Sequence, residues 1–481
     1  MRAESSLLIA RDREVRILED AYNDSRSHFI AVYGRRRIGK TFLVRETFGS
    51  RLTFSHSGLS AGKLSQQLEA FQESLEDAGL PSGECPKSWM EAFRLLKRLI
   101  RGSDDAKKVI FIDELSWMDT PRCDLMMALE NFWNGWASAR KDIVLIICAS
   151  ATSWMISHVI HNKGGLYNRL TDQIALEPFC LGECEEYLRA RDIEMDRYEI
   201  LEGYMILGGV PYYWEQIEKG KSMAQNIDSL FFARKAKLKN EFDYLYASLF
   251  RKPDDYIRIV TALATKKAGM LRAELAAAAG ISPNGTFTRK LEELENCGFI
   301  RKYHEYGRQS RDATIQLIDN FTLFYFKFIR SGRSDANFQV HSLDSPERKA
   351  WEGLAFERVC LQHLPQILSA LGISGMLTDA CAWHSRADPD KGVNGSQVDL
   401  LIVRRDRVIN LCEMKYSTSE FAVTKSYDEV LRRKLSDFTL LSKVRYAVHM
   451  TLVTTYGLTR NAYSGHIQSC VTAKDLFRIC E

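Results

Sequence analysis

Long apolar runs are missing from this sequence. The best one, Ile143 to Ala149, is the length of a strand, far short of the ~20 residues that a membrane-crossing helix needs. No apolar stretch of a secretory leader follows Met1, because Arg2, Glu4, Arg11, Asp12 and Arg13 interrupt the only candidate. A charge of one sign is lacking too. The 66 Lys and Arg stand against 62 Asp and Glu, a net charge of +4, so bulk electrostatics directs the chain neither to nucleic acid nor to a membrane. Any basic patch must be local. The eleven cysteines are scattered and odd in number; without a leader they read as reduced core thiols of a cytoplasmic protein. Cys360-x-x-His363 and Cys381-x-x-His384 have zinc-ligand spacing, but Cys360 sits in an apolar helical pattern. Core thiols and surface histidines are the expectation.

What is present begins with Tyr33-Gly34-Arg35-Arg36-Arg37-Ile38-Gly39-Lys40-Thr41, between an apolar run (Phe29 to Tyr33) and a helix-like segment (Phe42 to Phe48). This is the phosphate-loop pattern G-x-x-x-x-G-K-T in its strand–loop–helix context. Gly34 and Gly39 allow positive φ and close approach of backbone to an anion. Loop N–H groups and the helix N-terminus present partial positive charge to phosphates. Lys40 is expected at the β/γ-phosphates and the Thr41 hydroxyl on magnesium. The nucleotide-binding residues are therefore Gly34, Arg35, Arg36, Arg37, Ile38, Gly39, Lys40, Thr41 and Phe42. Nothing legible in the residues chooses ATP over GTP.

At 481 residues roughly two to four domains are expected. Ser88-Trp89-Met90-Glu91 reads as a capping box, with Trp89, Phe93, Leu96 and Ile100 on one helix face. Val109-Ile110-Phe111-Ile112-Asp113-Glu114 reads as a buried parallel strand that delivers two carboxylates at its C-terminal end. Asp113 is assigned to magnesium and Glu114 to polarising the attacking water. After the strand Ile143 to Cys148, a polar group in Ala149 to Trp154 is placed to sense the γ-phosphate or to cap the next helix. Arg169 faces either a nucleotide or solvent. Gly208-Gly209-Val210-Pro211 marks a helix end and sharp turn. The basic run Arg234 to Lys239 opens a helix towards Tyr246 as a solvated face.

From Asp255 to Ile318 three short helices precede a hairpin, the winged helix-turn-helix pattern. Thr286, Thr288, Arg289 and Lys290 would face a DNA groove, although Glu292, Glu293 and Glu295 on that helix suit a packing module better. Ser331 to Pro346 reads as a linker. An amphipathic helix then runs from Trp351 to about Leu371 and carries Glu357. Gln397 to Val403 and Val408 to Lys415 form a hairpin about Arg404-Arg405-Asp406-Arg407. Strand parity puts Ile409, Leu411, Glu413 and Lys415 on one face, with Asp399 roughly opposite Glu413. Two carboxylates and an ammonium suit a hard divalent cation beside an activated water. Asp399, Glu413 and Glu357 are the expected ligands, with Lys415 beside the water. The spacing D-x13-E-x-K matches the PD-(D/E)xK nuclease core, except that Val398 precedes Asp399 and the proline is absent.

Together GRRRIGKT, the Arg11/Glu14 segment, FIDE and GGVPYY resemble the archaeal-type ATPases, in the signal-transduction (STAND) branch of AAA+-like phosphate-loop proteins. The C-terminal third resembles the restriction-endonuclease-like domain of unknown function that often follows that ATPase. The resemblance implies an α/β multidomain chain: a phosphate-loop parallel sheet (1–180), a helical lid (181–250), a winged helix (251–330) and a C-terminal α/β nuclease-like domain (345–481). It also implies ATP with Mg2+ as cofactors and places Pro211 near the nucleotide base. The expected partners are ATP, DNA and a second copy of the chain, with no membrane. The expected function is an ATP-hydrolysing switch coupled to a metal-dependent, DNA-interacting nuclease-like domain. The alternative is an ATP-dependent regulator or sensor that binds DNA or protein without nuclease turnover.

Overall fold

In the computed structural model the described residues are 8–150, 152–161, 164–250, 252–307, 313–332, 335–388 and 393–480. Ala151, parts of the expected wing and two residues of the expected linker lie outside them. The chain divides into two compact units, Met1–Pro178 and Phe179–Glu481.

The first unit is built on five parallel strands in the order Leu52–Ser57, Lys108–Asp113, Ile143–Ala149, His28–Tyr33, Asp172–Ala175. Alternation along the strands divides the apolar side chains between two faces. Val109, Phe111, Val144 and Ile146 face the helices Asp12–Asn23 and Lys40–Phe48, meeting Leu18, Leu43, Val44 and Phe48. Ile110, Ile112, Leu145 and Ile147 face the helices Leu64–Asp77, Trp89–Gly102 and Leu125–Gly135, meeting Phe71, Trp89, Phe93 and Phe132. Ser88 caps its helix by accepting from the Glu91 N–H, but the Glu91 carboxylate accepts from Lys87 N rather than Ser88 N. The expected box is half formed.

The second unit opens with the helices Leu181–Ala190 and Arg197–Leu207. The second of these ends at Gly208 with φ 60°, and Pro211 starts the short helix Pro211–Trp214. The basic run Arg234 to Lys239 lies in turns, and the helix starts later, at Glu241. Next come the helix Pro253–Ala264, the strand Met270–Leu271, the helices Arg272–Ala279 and Gly285–Asn296, and the strands Ile300–Tyr303 and Thr314–Leu317. These three strands make one antiparallel sheet. Within 331–346 the short helix Phe338–His341 is docked, since the buried Asp228 carboxylate accepts from Gln339 N (2.7 Å) and Val340 N (3.1 Å).

The last sheet has the order Ile467–Thr472, Ala447–Thr454, Val408–Lys415, Val393–Arg404, Thr378–Asp388. Its Thr378–Lys415 part is an antiparallel meander, and the other two strands add in parallel after the crossover helix Lys425–Leu441. Val398, Leu401, Ile409, Leu411, Leu431 and Phe438 form the core under it. The expected helix from Trp351 to Leu371 is two helices, Pro346–Gln362 and Leu364–Ala370, broken at His363. Pro365 cannot donate into the preceding turn, so the break falls there.

Cys360 and Cys381 are buried, as expected, but His363 is a core residue and not a surface one. Its Nδ1–H donates to Val359 O (2.8 Å) and its Nε2 accepts from Leu181 N–H (3.0 Å), a pattern only the neutral ring satisfies. Burial holds its pKa down at about 4, and burial does the same to His56. The unfolded imidazole titrates near 6.5, so on acidification the unfolded chain takes up the proton first. This contribution is present above about pH 6.5 and disappears as pH falls towards 4. For His363 it amounts to ~3 kcal/mol. We therefore expect the urea midpoint of unfolding to drop steeply between pH 6.5 and 4.5, and His363→Gln, weaker at pH 7, to show a shallower drop.

Candidate functional site

The first candidate site lies where the strands of the first unit end. The strand His28–Tyr33 runs into Gly34, whose φ is 145°. A Cβ there would lie 2.2 Å from Leu176 O and 2.7 Å from Ile38 Cδ1, so only glycine fits beneath the loop. Arg37 has φ 71° and Gly39 φ 89°, and no atom lies within 4 Å of a Cβ built on Gly39. The loop thus closes against the sheet at Gly34 and opens at Gly39.

Lys40 is buried, and its Nζ donates to Gly34 O (2.9 Å) and Arg35 O (2.8 Å). Thr41 Oγ1 donates to Asp113 Oδ2 at 2.6 Å. This hydroxyl–carboxylate pair is the donor set that suits magnesium held beside phosphates. Ile38 is in the core, Arg35 is buried, Arg36 and Arg37 are half-buried, and Phe42 is exposed.

Glu114 adopts a left-handed conformation (φ 47°, ψ 43°), a strained choice for a side chain that long. Gly58 N donates to Asp113 O (3.0 Å), and a Cβ on Gly58 would fall 2.8 Å from Glu114 O, so the neighbouring strand end packs hard against this turn. The result aims the Glu114 carboxylate at Ser150, which donates from Oγ (2.6 Å) and N (3.2 Å). Ser150 lies in the polar stretch after the strand Ile143–Ala149, and the structure joins it to the acidic pair. Arg169 is exposed in the loop before the last strand. Arg11 is buried and donates to Glu177 O (2.8 Å), which ties the first helix to the end of the sheet. Pro211 lies in the second unit, at the start of its helix.

A second constellation lies in the second unit. Glu357 comes from the helix Pro346–Gln362, Asp399 from the strand Val393–Arg404, and Glu413 and Lys415 from the strand Val408–Lys415. The antiparallel register pairs Leu400 with Cys412, which puts Asp399 beside Glu413 as expected from the sequence. The ladder with the neighbouring strand is irregular between Val398 and Leu401, so Asp399 stands at a distortion.

Every carboxylate here has a cation. Glu413 is buried; its Oε1 accepts from Tyr427 OH (2.8 Å) and lies 3.1 Å from Lys415 Nζ, and its Oε2 accepts from Lys434 Nζ (2.7 Å). Burial pushes the Glu413 pKa up, but Lys434, Lys415 and the Tyr427 hydroxyl outweigh it and leave the group below its ordinary value. Glu357 is raised, by burial first and then by the Asp399 charge, with Lys267 and Lys415 opposing. Among the described residues, the group of three ligand side chains whose donor atoms lie within 4.8 Å of one another is His304, Asp379 and Cys381, so Glu357, Asp399 and Glu413 are not gathered around one metal position here. Tyr427, Lys434 and Lys267 carry no signal in the motif spacing and were not anticipated.

A parallel sheet with buried central strands, whose ends carry a glycine–lysine–threonine loop and an acidic pair, defines a phosphate-loop ATPase core. Residues 8–217 match the family described as an ATPase domain predominantly from Archaea, and the match supports ATP binding and hydrolysis by this part of the chain.

The chain is 23% identical over 443 residues to the uncharacterized protein MJECL04 of Methanocaldococcus jannaschii, covering 89% of this chain and 92% of that one. It is 38% identical over 40 residues to the uncharacterized ATP-binding protein MJ0423 of the same organism, covering 8% of this chain and 68% of that one. Among solved structures, the Walker-type ATPase PABY2304 of Pyrococcus abyssi aligns at 15% identity and a TM-score of 0.46, over 67% of this chain and 96% of that one. The ORC2 protein of Aeropyrum pernix, in its ADPNP–ADP complexes, aligns at 15% identity and a TM-score of 0.39, over 71% and 94%. No helix among the described residues is long and apolar enough to cross a membrane.

The Gly34 geometry makes a direct prediction. Gly34→Ala puts a methyl group against Leu176 O at a φ that L-residues avoid, and should cost about 2–4 kcal/mol. Differential scanning calorimetry should show a lower first transition, and nucleotide should restore it poorly.

Proposed function

We propose that this protein is an ATP-driven switch whose nucleotide domain controls a metal-dependent, nuclease-like C-terminal domain acting on DNA. Within the ATPase, Lys40 binds the β/γ-phosphates, Thr41 and Asp113 hold Mg2+, and Glu114 orients and deprotonates the attacking water. Backbone groups from Gly34 to Phe42 cradle the phosphates, and the family resemblance alone assigns Pro211 to the neighbourhood of the base. Ser150 keeps Glu114 in its rotamer, so an incoming phosphate that draws Ser150 away would free the carboxylate to act. Arg169 is the candidate for contact with a nucleotide on a second copy of the chain.

The observation that carries the nuclease-like reading is the convergence of Glu357, Asp399, Glu413 and Lys415, from one helix and two strands, at one end of the last sheet. A divalent cation held by these carboxylates would polarise a phosphodiester and its attacking water. Lys415 is placed to stabilise that water or the developing phosphate charge. The helices and three-stranded sheet of 253–317 support the winged-helix reading. Arg289 is the exposed cation of the helix Gly285–Asn296, with Glu293 3.7 Å from its Nε, whereas the Arg272 Nη2 already donates to Pro283 O, Asn284 O and Thr288 Oγ1 and Lys290 pairs with Asp255 on the first of these helices.

A regulator without turnover remains the second reading, and one observation favours it: both Glu413 oxygens are held by Tyr427, Lys415 and Lys434. A carboxylate so saturated is a stable ion-pair hub as well as a metal ligand.

Two experiments test these readings. Lys40→Ala should abolish ATP binding in a calorimetric titration, and Glu114→Gln should keep affinity while slowing hydrolysis by about 10²-fold or more. Unchanged affinity in the lysine variant would overturn the loop assignment. Plasmid nicking with Mg2+ or Mn2+ should be lost in Asp399→Ala, Glu413→Ala and Lys415→Ala. Equal nicking in all of them, or none in the parent protein, sinks the nuclease claim and leaves the regulator.

A further inference from the structure

The helix Pro346–Gln362 carries a guanidinium without a partner. Nε and Nη2 of Arg358 are shut off from solvent and, among the described residues, make no hydrogen bond. Trp351 on the same helix is buried, and its indole Nε1–H is likewise unpaired. The two residues stand at i and i+7, so they share one helix face. Both line a cavity of about 330 Å³. Buried N–H groups without acceptors are uncommon in folded chains, because each has lost its water and gained nothing in exchange. Three of them border this one space.

The rest of the lining is basic. Lys266, Lys267, Arg301 and Lys327 border the cavity with Arg358, against the carboxylates of Glu357 and Asp399. The lysines are already paired. Lys266 Nζ lies 2.6 Å from Glu274 Oε1 and Lys327 Nζ 3.0 Å from Glu347 Oε1. Lys267 Nζ lies 2.7 Å from Glu357 Oε2 and 3.9 Å from Asp399 Oδ2, and Gln397 Nε2 donates to Asp399 Oδ1 (2.6 Å). The arginines are different. Arg301 Nε donates to the neutral Gln316 Oε1 (2.8 Å), and the buried Arg358 nitrogens have no acceptor. Lys267 thus balances the two carboxylates, and the guanidiniums supply the charge that is left.

We propose that this cavity binds a phosphate group, held by the guanidiniums of Arg358 and Arg301 and the Trp351 N–H, on a ligand of nucleotide size. A guanidinium presents paired N–H groups in the geometry of two phosphate oxygens, and a buried one gains most from an anion. The volume exceeds what a phosphate alone fills, and Leu317, Phe326 and Leu354 give the walls an apolar part. The ligand therefore carries a flat, largely apolar body beside its anionic head.

A free nucleotide and the phosphorylated end of a nucleic acid strand both present this chemistry. The site lies wholly within the second unit and does not involve the phosphate loop of the first. It needs neither a metal ion nor the nuclease reading.

The test is calorimetric titration of the full chain carrying Lys40→Ala, so that the phosphate loop does not contribute. The probes are dAMP, dCMP, dGMP and dTMP, the four deoxynucleosides without phosphate, and a short oligothymidylate with and without a 5′-phosphate. This parent is compared with Arg358→Met, Arg358→Gln and Trp351→Phe. A phosphorylated probe should bind the parent and its unphosphorylated counterpart should not. Binding should weaken about tenfold or more in both Arg358 variants and by a smaller factor in Trp351→Phe. Binding of the monophosphates assigns the site to free nucleotides, and binding confined to the phosphorylated oligonucleotide assigns it to strand ends; either supports the proposal. Without ligand, Arg358→Met should unfold at no lower a temperature than its parent, since it removes an unpaired buried charge. Equal affinity in the parent and both Arg358 variants, equal affinity with and without the phosphate, or no binding of any phosphorylated probe overturns the proposal. So does a lower unfolding temperature of Arg358→Met together with undiminished binding in Trp351→Phe, which would make Arg358 a structural residue.

Discussion

The hydrogen bond between the Thr41 hydroxyl and the Asp113 carboxylate depends on a constraint that runs through the whole first unit. The strands His28–Tyr33 and Lys108–Asp113 are not neighbours; Ile143–Ala149 lies between them, and all three are parallel. Parallel pairing brings their C-terminal ends to one edge, so a loop, an acidic pair and Ser150 from three separate segments meet there. The strands are buried on both faces, which fixes their register, and that rigidity holds Arg37 and Glu114 at positive φ. A looser sheet would relax both residues and scatter the site.

The second unit solves a different problem. It gathers carboxylates from a helix and two strands into a partly buried place, where each would be costly alone. The compensation comes from lysines on other elements: Lys434 from the crossover helix, Lys415 from the same strand and Lys267 from the module that precedes the helix. These pairings make the constellation electrically stable in the folded chain.

The phosphate loop, the strand ending in Asp113 and Glu114, and the hairpin ending in Glu413 and Lys415 were legible because each is a local pattern. Spacing along a strand or a loop translates directly into direction in space. The break at His363 was partly legible, since Pro365 announces it, but a histidine buried against Val359 O and Leu181 N has no local signature. Lys290 shows the converse. Its position on the helix is what periodicity predicts, yet Asp255 from another helix claims its charge. The basic run at 234–239 likewise remains in turns and does not extend the helix that follows.

What the sequence determined by itself is the set of groups that can do chemistry, and the strand, loop or helix that carries each of them, because hydrophobic period and glycine position act within about ten residues. Only the tertiary structure decided which group faces which. Ser150 reaches Glu114 across the sheet, and Lys434 and Tyr427 reach Glu413 from the crossover helix. Lys267 meets Glu357 and Asp399 from a separate module. The physical reason is range: charge pairing in a partly buried site acts between elements brought together by packing, and the distance along the chain leaves no trace of it.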